Sequence, residues 1–317
     1  MKSSCLLVLA LASLPAAADH AAGSTSSDGG QMTMSPDTLA SGKLFVALRL
    51  DAADFEHVSD EELHEAGEAG HSRHGLDWAG TAALEGGFGI LDRLMVGVTI
   101  PVRRTDDFRE APHHEEEVEE GEGSIRSVDP DGLGDVQIWA QLKILDGSFK
   151  LGVRLGLELP TGDTNDRGPH GDYLEPSHQA GSGSLDFLGG IAAGYSLESV
   201  GIQAALTGKV NTRGVRDFEM GDTVMLSVGG SWRFYGEPRT FSLSVTADAW
   251  GQWYGRNRHH GRGDPDSGGF QWYAAPGLRL NAGPFFAQLA VPIQIYNGVN
   301  EEPDQRLRGV LTAGLNF

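Results

Sequence analysis

The feature that most constrains this chain is a two-residue alternation of apolar and polar side chains, which recurs along most of its length. In "SFKLGVRLGLELP", one face is apolar from Phe149 to Leu159, and the other carries Lys150, Arg154 and Glu158 between glycines. A period of two predicts β-strands whose two faces meet different environments. We find about twelve such runs of roughly 10–15 residues, the length of a tilted membrane strand with its rim. They lie near residues 43–53, 78–90, 93–103, 135–145, 148–160, 184–196, 199–211, 222–235, 240–254, 269–281, 284–296 and 307–317.

The connections between these runs alternate between short and long. Short turns lie at 91–93, 145–148, 197–200, 235–240 and 281–284, and long loops at 54–77, 104–134, 161–183, 212–221, 255–268 and 297–306. Short periplasmic turns and longer outer loops are typical of outer-membrane barrels. The sequence therefore predicts an all-β fold, a transmembrane antiparallel up-and-down β-barrel of about twelve strands over residues 42–317.

The alternative is a soluble β-sandwich or lipocalin-like barrel, with the apolar face inside. The opposite face carries charged residues on nearly every strand, and a core could not bury these without partners. We therefore expect the charged face to line a wet lumen and the apolar face to meet lipid. The predicted lumen-lining residues are Arg49, Glu85, Lys143, Arg154, Glu158, Lys209, Arg233, Asp248 and Arg279. Bases outnumber acids there, which favours anions in an open pore. A barrel filled by its own salt bridges remains the alternative.

The N-terminal residues predict export. Residues 1–18 combine Lys2, an apolar stretch from Cys5 to Leu14 and a run of alanines at 16–18, which is typical of a secretory signal peptide. Residues 19–41 are rich in Ser, Gly and Asp and predict a flexible arm. Because Cys5 is the only cysteine, the exported chain would contain no disulfide. A net charge of −20 argues against nucleic-acid binding.

The C-terminal stretch "GVLTAGLNF" continues the alternation to its last residue. An unpaired strand edge is not tolerated in lipid, so we expect this strand to pair with the first. Leu315 and the terminal aromatic Phe317 resemble the C-terminal signal that the assembly machinery of bacterial outer membranes reads. The expected location is thus the outer membrane of a Gram-negative cell, with its lipid, its lipopolysaccharide and that machinery as partners.

Histidines concentrate in the predicted outer loops. The candidate ligands for a divalent metal are His57, His64, His71, His74, His113 and His114. His57, His64 and His71 recur every seven residues among glutamates, which would place them on one face if the loop were helical. Imidazole with carboxylate suits Zn, Ni or Cu(II). The alternative is a solvated acidic loop bridged by Ca²⁺ or Mg²⁺ near lipopolysaccharide. No other cofactor is expected.

Three glycine-rich motifs follow one another in the middle of the chain: "GLGD" at 132–135, "LPTGD" at 159–163 and "GSGSLD" at 181–186. Their series resembles the outer-membrane family named for a phenol meta-degradation pathway. The resemblance implies a channel-like barrel that passes small, often hydrophobic compounds, and it carries no catalytic motif.

We therefore expect a passive channel or transporter for small solutes, either hydrophobic or anionic. A surface barrel that binds metal through its loops is the alternative. A barrel enzyme of the lipase type is disfavoured, because no nucleophile and base have a recognisable spacing.

Overall fold

The computed structural model describes residues 30–69, 73–110, 125, 127–168, 171–237, 240–299 and 303–317. It is a closed antiparallel barrel of twelve strands, which confirms the predicted fold. The strands are β1 Leu44–Phe55, β2 Trp78–Leu91, β3 Leu94–Asp106, β4 Val136–Leu145, β5 Phe149–Leu159, β6 Asp186–Ser196, β7 Val200–Val210, β8 Thr223–Glu237, β9 Phe241–Tyr254, β10 Gly269–Ala282, β11 Phe285–Ala290 with Ile293–Asn297, and β12 Gln305–Asn316.

The barrel closes where the first strand meets the last. β1 pairs with β12 from Phe45 opposite Asn316 to Asp54 opposite Leu307. The backbone N–H of Phe317 also donates to the Leu44 carbonyl at 2.8 Å. The expected pairing of the terminal strands is confirmed, and it removes the edges that an open sheet would present to lipid.

The two faces of each strand follow the sequence alternation. In β9, Phe241 and Val245 are exposed, whereas Ser242, Thr246 and Asp248 are buried inside the barrel. Exposed Leu, Ile, Val and Phe side chains recur on the outer surface of every barrel strand, and the ends of the strands carry aromatic residues such as Trp232. A polar interior with an apolar exterior is the arrangement of a membrane barrel.

Strand β11 differs from its prediction. The sequence suggested one continuous strand over residues 284–296, but Val291 and Pro292 separate two segments. Proline has no N–H to donate to a ladder and therefore interrupts a strand. The first segment pairs with β10 and β12, whereas Ile293–Asn297 pairs as a strand only with β10.

The outer loops contain short elements. Helix α1, Asp60–Glu68, begins with a capping box in which Ser59 and Glu62 bond each other's backbone N–H groups. No helix in the described part of the chain is long and apolar enough to cross a membrane. The remaining elements are the 3₁₀ turns Pro176–His178 and Val215–Asp217 and the short strands His74–Gly75, Arg109–Glu110, Asp131–Leu133, Phe218–Glu219, Arg258–His259 and Arg262–Gly263.

Candidate functional site

The nine sequence-predicted lumen residues all lie at inward positions of the strands. Six are buried inside the barrel: Arg49, Glu85, Glu158, Lys209, Asp248 and Arg279. Arg154 is half-buried and stacks on the Trp139 ring, with its guanidinium carbon 4.3 Å from the ring centroid. Lys143 and Arg233 lie near the turn end of the barrel, where Lys143 pairs with Asp146 at 2.9 Å.

Ion pairs connect opposite charges along the inner wall. Arg308 donates two hydrogen bonds of 2.8 Å to Asp51, and Lys209 lies 3.0 Å from Glu158. Asp51, which the sequence places in the first strand run, is 3% exposed and lies inside the barrel, two inward positions from Ala47. This pair was missed because its members are distant in the chain. The available sequence signal was that Asp51 lies two positions after Arg49, so both side chains are on the inward face of β1.

The N-terminal arm occupies part of the lumen. The sequence predicted a flexible arm over residues 19–41. Residues 30–39 are buried or half-buried in the barrel interior, residues 40 and 41 are exposed at the turn end, and residues 19–29 lie outside the described residues. Asp248 accepts hydrogen bonds of 2.9 Å from the Gln31 N–H and the Thr33 hydroxyl. Nearer the turn end, Lys150 pairs with Asp37 at 2.9 Å. The arm is therefore held at both of its described ends.

Glycines on the inner wall make room for the arm. A β-carbon on Gly152 would lie 2.6 Å from the Pro36 carbonyl oxygen, and one on Gly89 would lie 2.1 Å from that of Ala40. A β-carbon on Gly229 would lie 2.8 Å from the Thr33 hydroxyl. These distances are too short for any side chain, so the barrel is shaped to hold this segment.

The three glycine-rich motifs are joined by hydrogen bonds and close backbone contacts at the loop end of the barrel. Asp135 accepts hydrogen bonds from the backbone N–H groups of Gly162 at 2.8 Å and Ser182 at 2.6 Å. Asp163 accepts one from the Leu133 N–H at 2.9 Å. Gly162 and Gly181 touch so closely that a β-carbon on either would lie 2.6 Å from the other residue's backbone. The motifs thus join the two ends of the third loop to each other and to the start of β4.

The candidate metal ligands do not form one cluster in the described residues. His57 precedes helix α1 and hydrogen-bonds to Asp77 at 2.8 Å, and only His64 lies within the helix. His74 instead packs against His178, with ring centroids 4.3 Å apart. His71, His113 and His114 lie outside the described residues.

One group of ligand atoms comes together that the sequence did not single out. Atoms of His57, Asp77 and Asp107 lie within 4.8 Å of one another. Arg109 lies among them, 3.3 Å from the His57 ring, 3.7 Å from Asp77 and 3.0 Å from Asp107. Its guanidinium already supplies positive charge at this point.

The hydrogen bonding between β11 and β12 changes along the length of the two strands. From Phe285 to Ala290 the two strands form a regular ladder, which ends at Ala290 opposite Val310. Beyond Pro292 the contacts come from glutamines. The Gln305 N–H donates to the Gln294 side chain at 2.8 Å, and the Gln305 amide donates to the Pro292 carbonyl at 3.3 Å. We call this stretch, Val291–Asn297 against Gln305–Gly309, the seam.

The seam has an apolar outer side and a polar inner side. Ile293, Ile295 and Leu307 are 50%, 59% and 63% exposed on the outer surface. On the inner side, the Gln294 amide donates to the hydroxyl of the buried Tyr273 at 3.1 Å. A membrane barrel elsewhere satisfies its backbone with ladder hydrogen bonds, whereas at the seam side-chain hydrogen bonds replace part of the ladder.

Comparisons with known proteins agree with this architecture. The family model described as "Putative MetA-pathway of phenol degradation" matches residues 91–314. No curated protein matches the sequence.

Among solved structures, the COG4313 outer membrane channel from Pseudomonas putida F1 is 15% identical, with 89% of this chain and 97% of that chain covered and a TM-score of 0.56. The P. putida toluene transporter TodX is 11% identical over 88% of this chain and 91% of that chain, with a TM-score of 0.40.

Proposed function

Since the chain belongs to the family described as putative MetA-pathway of phenol degradation, we propose that it is an outer-membrane channel for the passive passage of small hydrophobic solutes. The outer surface meets membrane lipid, and solutes move down their own gradient. The proposal involves no catalytic step and no cofactor. The COG4313 channel shares the fold, and a toluene transporter is among the similar structures.

The observation that carries the proposal is the seam. Its outer side is lined by Ile293, Ile295 and Leu307. An apolar solute that contacts these side chains keeps its apolar surface away from water, which is favourable. Its inner side opens toward Tyr273 and the lumen. Parting two glutamine side chains disturbs fewer hydrogen bonds than parting a ladder, so the seam offers a sideways route between lumen and membrane.

The axial route is more obstructed than the seam. Residues 30–39 fill part of the lumen, and the Asp135 hydrogen bonds hold both ends of the third loop at the rim. Ions need a continuous wet path, whereas an apolar solute does not. We therefore expect the wild-type protein to pass apolar solutes while conducting little ionic current.

A reversible lock across the seam tests this function. If the ladder continued past Ala290 and Val310, Ile293 would face Leu307, so the Ile293→Cys/Leu307→Cys pair spans the seam. The one cysteine in the sequence is Cys5, so no native cysteine in residues 42–317 competes for the engineered disulfide. The measurement is the initial uptake of radiolabelled toluene by Gram-negative cells that express the variant, under oxidising and reducing conditions.

The matched control is Leu289→Cys/Leu311→Cys, which joins directly opposed residues of the intact ladder. We expect oxidation to reduce uptake to the background of cells without the protein for the seam pair only, and reduction to restore it. Equal uptake by oxidised and reduced seam variants, with the disulfide verified, would eliminate the seam as the route.

The second candidate function is divalent-metal binding by the outer loops, favoured by the proximity of His57, Asp77 and Asp107. Arg109 competes for that position, so the test compares Zn²⁺ titrations of the wild type and Arg109→Met. We expect binding only in the variant, because removing the guanidinium leaves the charge of two carboxylates uncompensated beside one imidazole, and all three can then coordinate the metal. Tight Zn²⁺ binding by the wild type would favour the metal function instead.

A further inference from the structure

Four aromatic rings lie together on the outer wall, at the loop end of β9, β10 and β11. Trp253, Phe270, Trp272 and Tyr296 are between 37% and 56% exposed. The centroid of the Phe270 ring lies 6.2 Å from that of Trp272 and 6.4 Å from that of Tyr296. Trp253 is directly opposite Phe270 in the β9–β10 ladder. We call these four residues the aromatic platform.

A glycine lets two rings of the aromatic platform lie against the barrel wall. Gly251 on β9 is directly opposite Trp272. A β-carbon on Gly251 would lie 2.8 Å from the Phe270 ring and 3.0 Å from the Trp272 ring, so both rings cover this position. Exposed aromatic side chains at the end of a barrel strand mark the level at which membrane hydrocarbon meets the lipid headgroups. The headgroups of the outer leaflet therefore lie directly above these rings.

The loop above the aromatic platform presents arginines that the protein does not neutralise. Residues 255–268 join β9 to β10. Arg256 and Arg262 are exposed, and neither forms an ion pair within the part of the chain that the structure describes. Arg258, in contrast, pairs with Glu219. Two guanidinium groups are thus available to an anion at the headgroup level.

The charge of this loop differs from that of the first outer loop. Residues 54–77 carry eight carboxylates and one arginine, whereas residues 255–268 carry three arginines and two aspartates. One of these aspartates, Asp264, accepts a hydrogen bond of 3.0 Å from the backbone N–H of Asp266 in its own loop. An anionic headgroup is repelled by the first loop and attracted by the arginines above the aromatic platform.

A lipid that combines phosphate with acyl chains matches both parts of this surface. Guanidinium groups bind phosphate oxygens through paired N–H donors, and aromatic rings at the membrane interface contact hydrocarbon. The barrel lies in the outer membrane of a Gram-negative cell, whose outer leaflet is built from lipopolysaccharide. Its lipid A anchor carries phosphate groups and several acyl chains, whereas phosphatidylethanolamine carries an ammonium group beside its one phosphate.

We propose that the aromatic platform, together with Arg256 and Arg262, is a docking site for lipid A. The two guanidinium groups bind a phosphate group, and the rings pack against an acyl chain below it. This gives the lipopolysaccharide that is expected from the location a defined position on the barrel. The site lies on the outer surface and does not depend on which solute the lumen passes.

The test titrates the refolded full-length chain in detergent with purified lipid A and counts the bound lipid by native mass spectrometry. The variants are Arg256→Gln, Arg262→Gln and the two together, which remove charge from an exposed loop and leave the strands untouched. The matched control is Arg104→Gln, which removes an exposed arginine at the loop end of β3, six strands away around the barrel.

We expect each single variant to weaken lipid A binding about fivefold and the double variant about 25-fold, since one arginine near a membrane surface contributes about that much. Arg104→Gln should bind lipid A as the wild type does. Lipid A from which the phosphate groups have been removed should bind the wild type and the double variant equally. An excess of inorganic phosphate should not displace intact lipid A, because the rings hold its acyl chain.

Equal affinities of the wild type and the double variant for intact lipid A would overturn the site, and so would an equal loss in Arg104→Gln. Displacement of lipid A by inorganic phosphate would also overturn it, because the surface would then be an anion site to which the aromatic platform contributes nothing.

Discussion

Replacing Asp248 by asparagine should weaken the docking of the first described residues of the arm and raise the fraction of time for which the barrel conducts. The Asp248 carboxylate accepts hydrogen bonds from the Gln31 N–H and the Thr33 hydroxyl, both at 2.9 Å. Hydrogen bonds to a charged group contribute about 1.5–3 kcal/mol each, and neutral ones about 0.5–1.5 kcal/mol. Asparagine keeps one acceptor oxygen and presents an NH₂ group in place of the other.

The expected loss is therefore about 2.5–4.5 kcal/mol of arm docking, which raises the undocked population roughly 60- to 1,600-fold. The substitution leaves no uncompensated buried charge, so the barrel itself should be preserved. The assay is single-channel recording of the refolded protein in planar bilayers, with the open fraction as the measured quantity. Thr246→Val is the matched control, because it lies one inward position away on the same strand.

An open fraction in Asp248→Asn equal to that of the wild type, with the folded barrel verified by its heat-modifiable mobility on a gel, would show that the arm does not limit conduction, even though it occupies the lumen.

Three further expectations follow from single contacts. Arg308→Met removes the bidentate partner of the buried Asp51 and leaves it Arg49 at 3.4 Å, so it should cost about 3 kcal/mol of unfolding free energy in urea titrations, and an unchanged midpoint would contradict the pairing. Gly152→Val would overlap the backbone of the arm, so it should raise the open fraction with the barrel intact, whereas silent recordings would show that the arm adapts. The hydrogen bond from His260 lowers the pKa of Asp217, so the contact between their loops should persist down to about pH 4 and be lost as the pH falls further; hydrogen exchange that is already fast at neutral pH would exclude this stabilising role.

Local alternation made the barrel predictable from sequence. In β5, the side chains from Phe149 to Leu159 alternate with Lys150, Arg154 and Glu158, and this period alone determines which face meets lipid. Turn lengths are also local, so the strand order of an up-and-down barrel followed from them. The prediction for β11 was wrong at Pro292, although a proline within a strand pattern is itself a signal of interruption.

The contents of the lumen were not predictable in the same way. The arm carries no periodic pattern, and its contacts reach strands that are distant in sequence, such as Gly152 on β5 and Gly229 on β8. Asp51 and Arg308 are 257 positions apart, and only strand closure brings them together. The inward glycines were the available signal, since a strand interior seldom leaves side-chain positions empty unless another backbone approaches.

The loop histidines show how a spacing can mislead. A seven-residue repeat implies one helix face only if the helix spans the repeat. Ser59 caps α1 at its N-terminus, so His57 precedes the helix and contacts Asp77 instead. Ser59 lies three positions before Glu62, and this capping-box spacing was the local sequence signal for where the helix begins.

Passive passage of small hydrophobic solutes is measured most directly as the initial uptake of labelled toluene by de-energised Gram-negative cells with and without the protein. A passive channel predicts uptake that depends on the protein, rises linearly with external concentration and is unaffected by loss of cellular energy. Uptake that is the same without the protein, or that stops when the cells are de-energised, would contradict a passive channel.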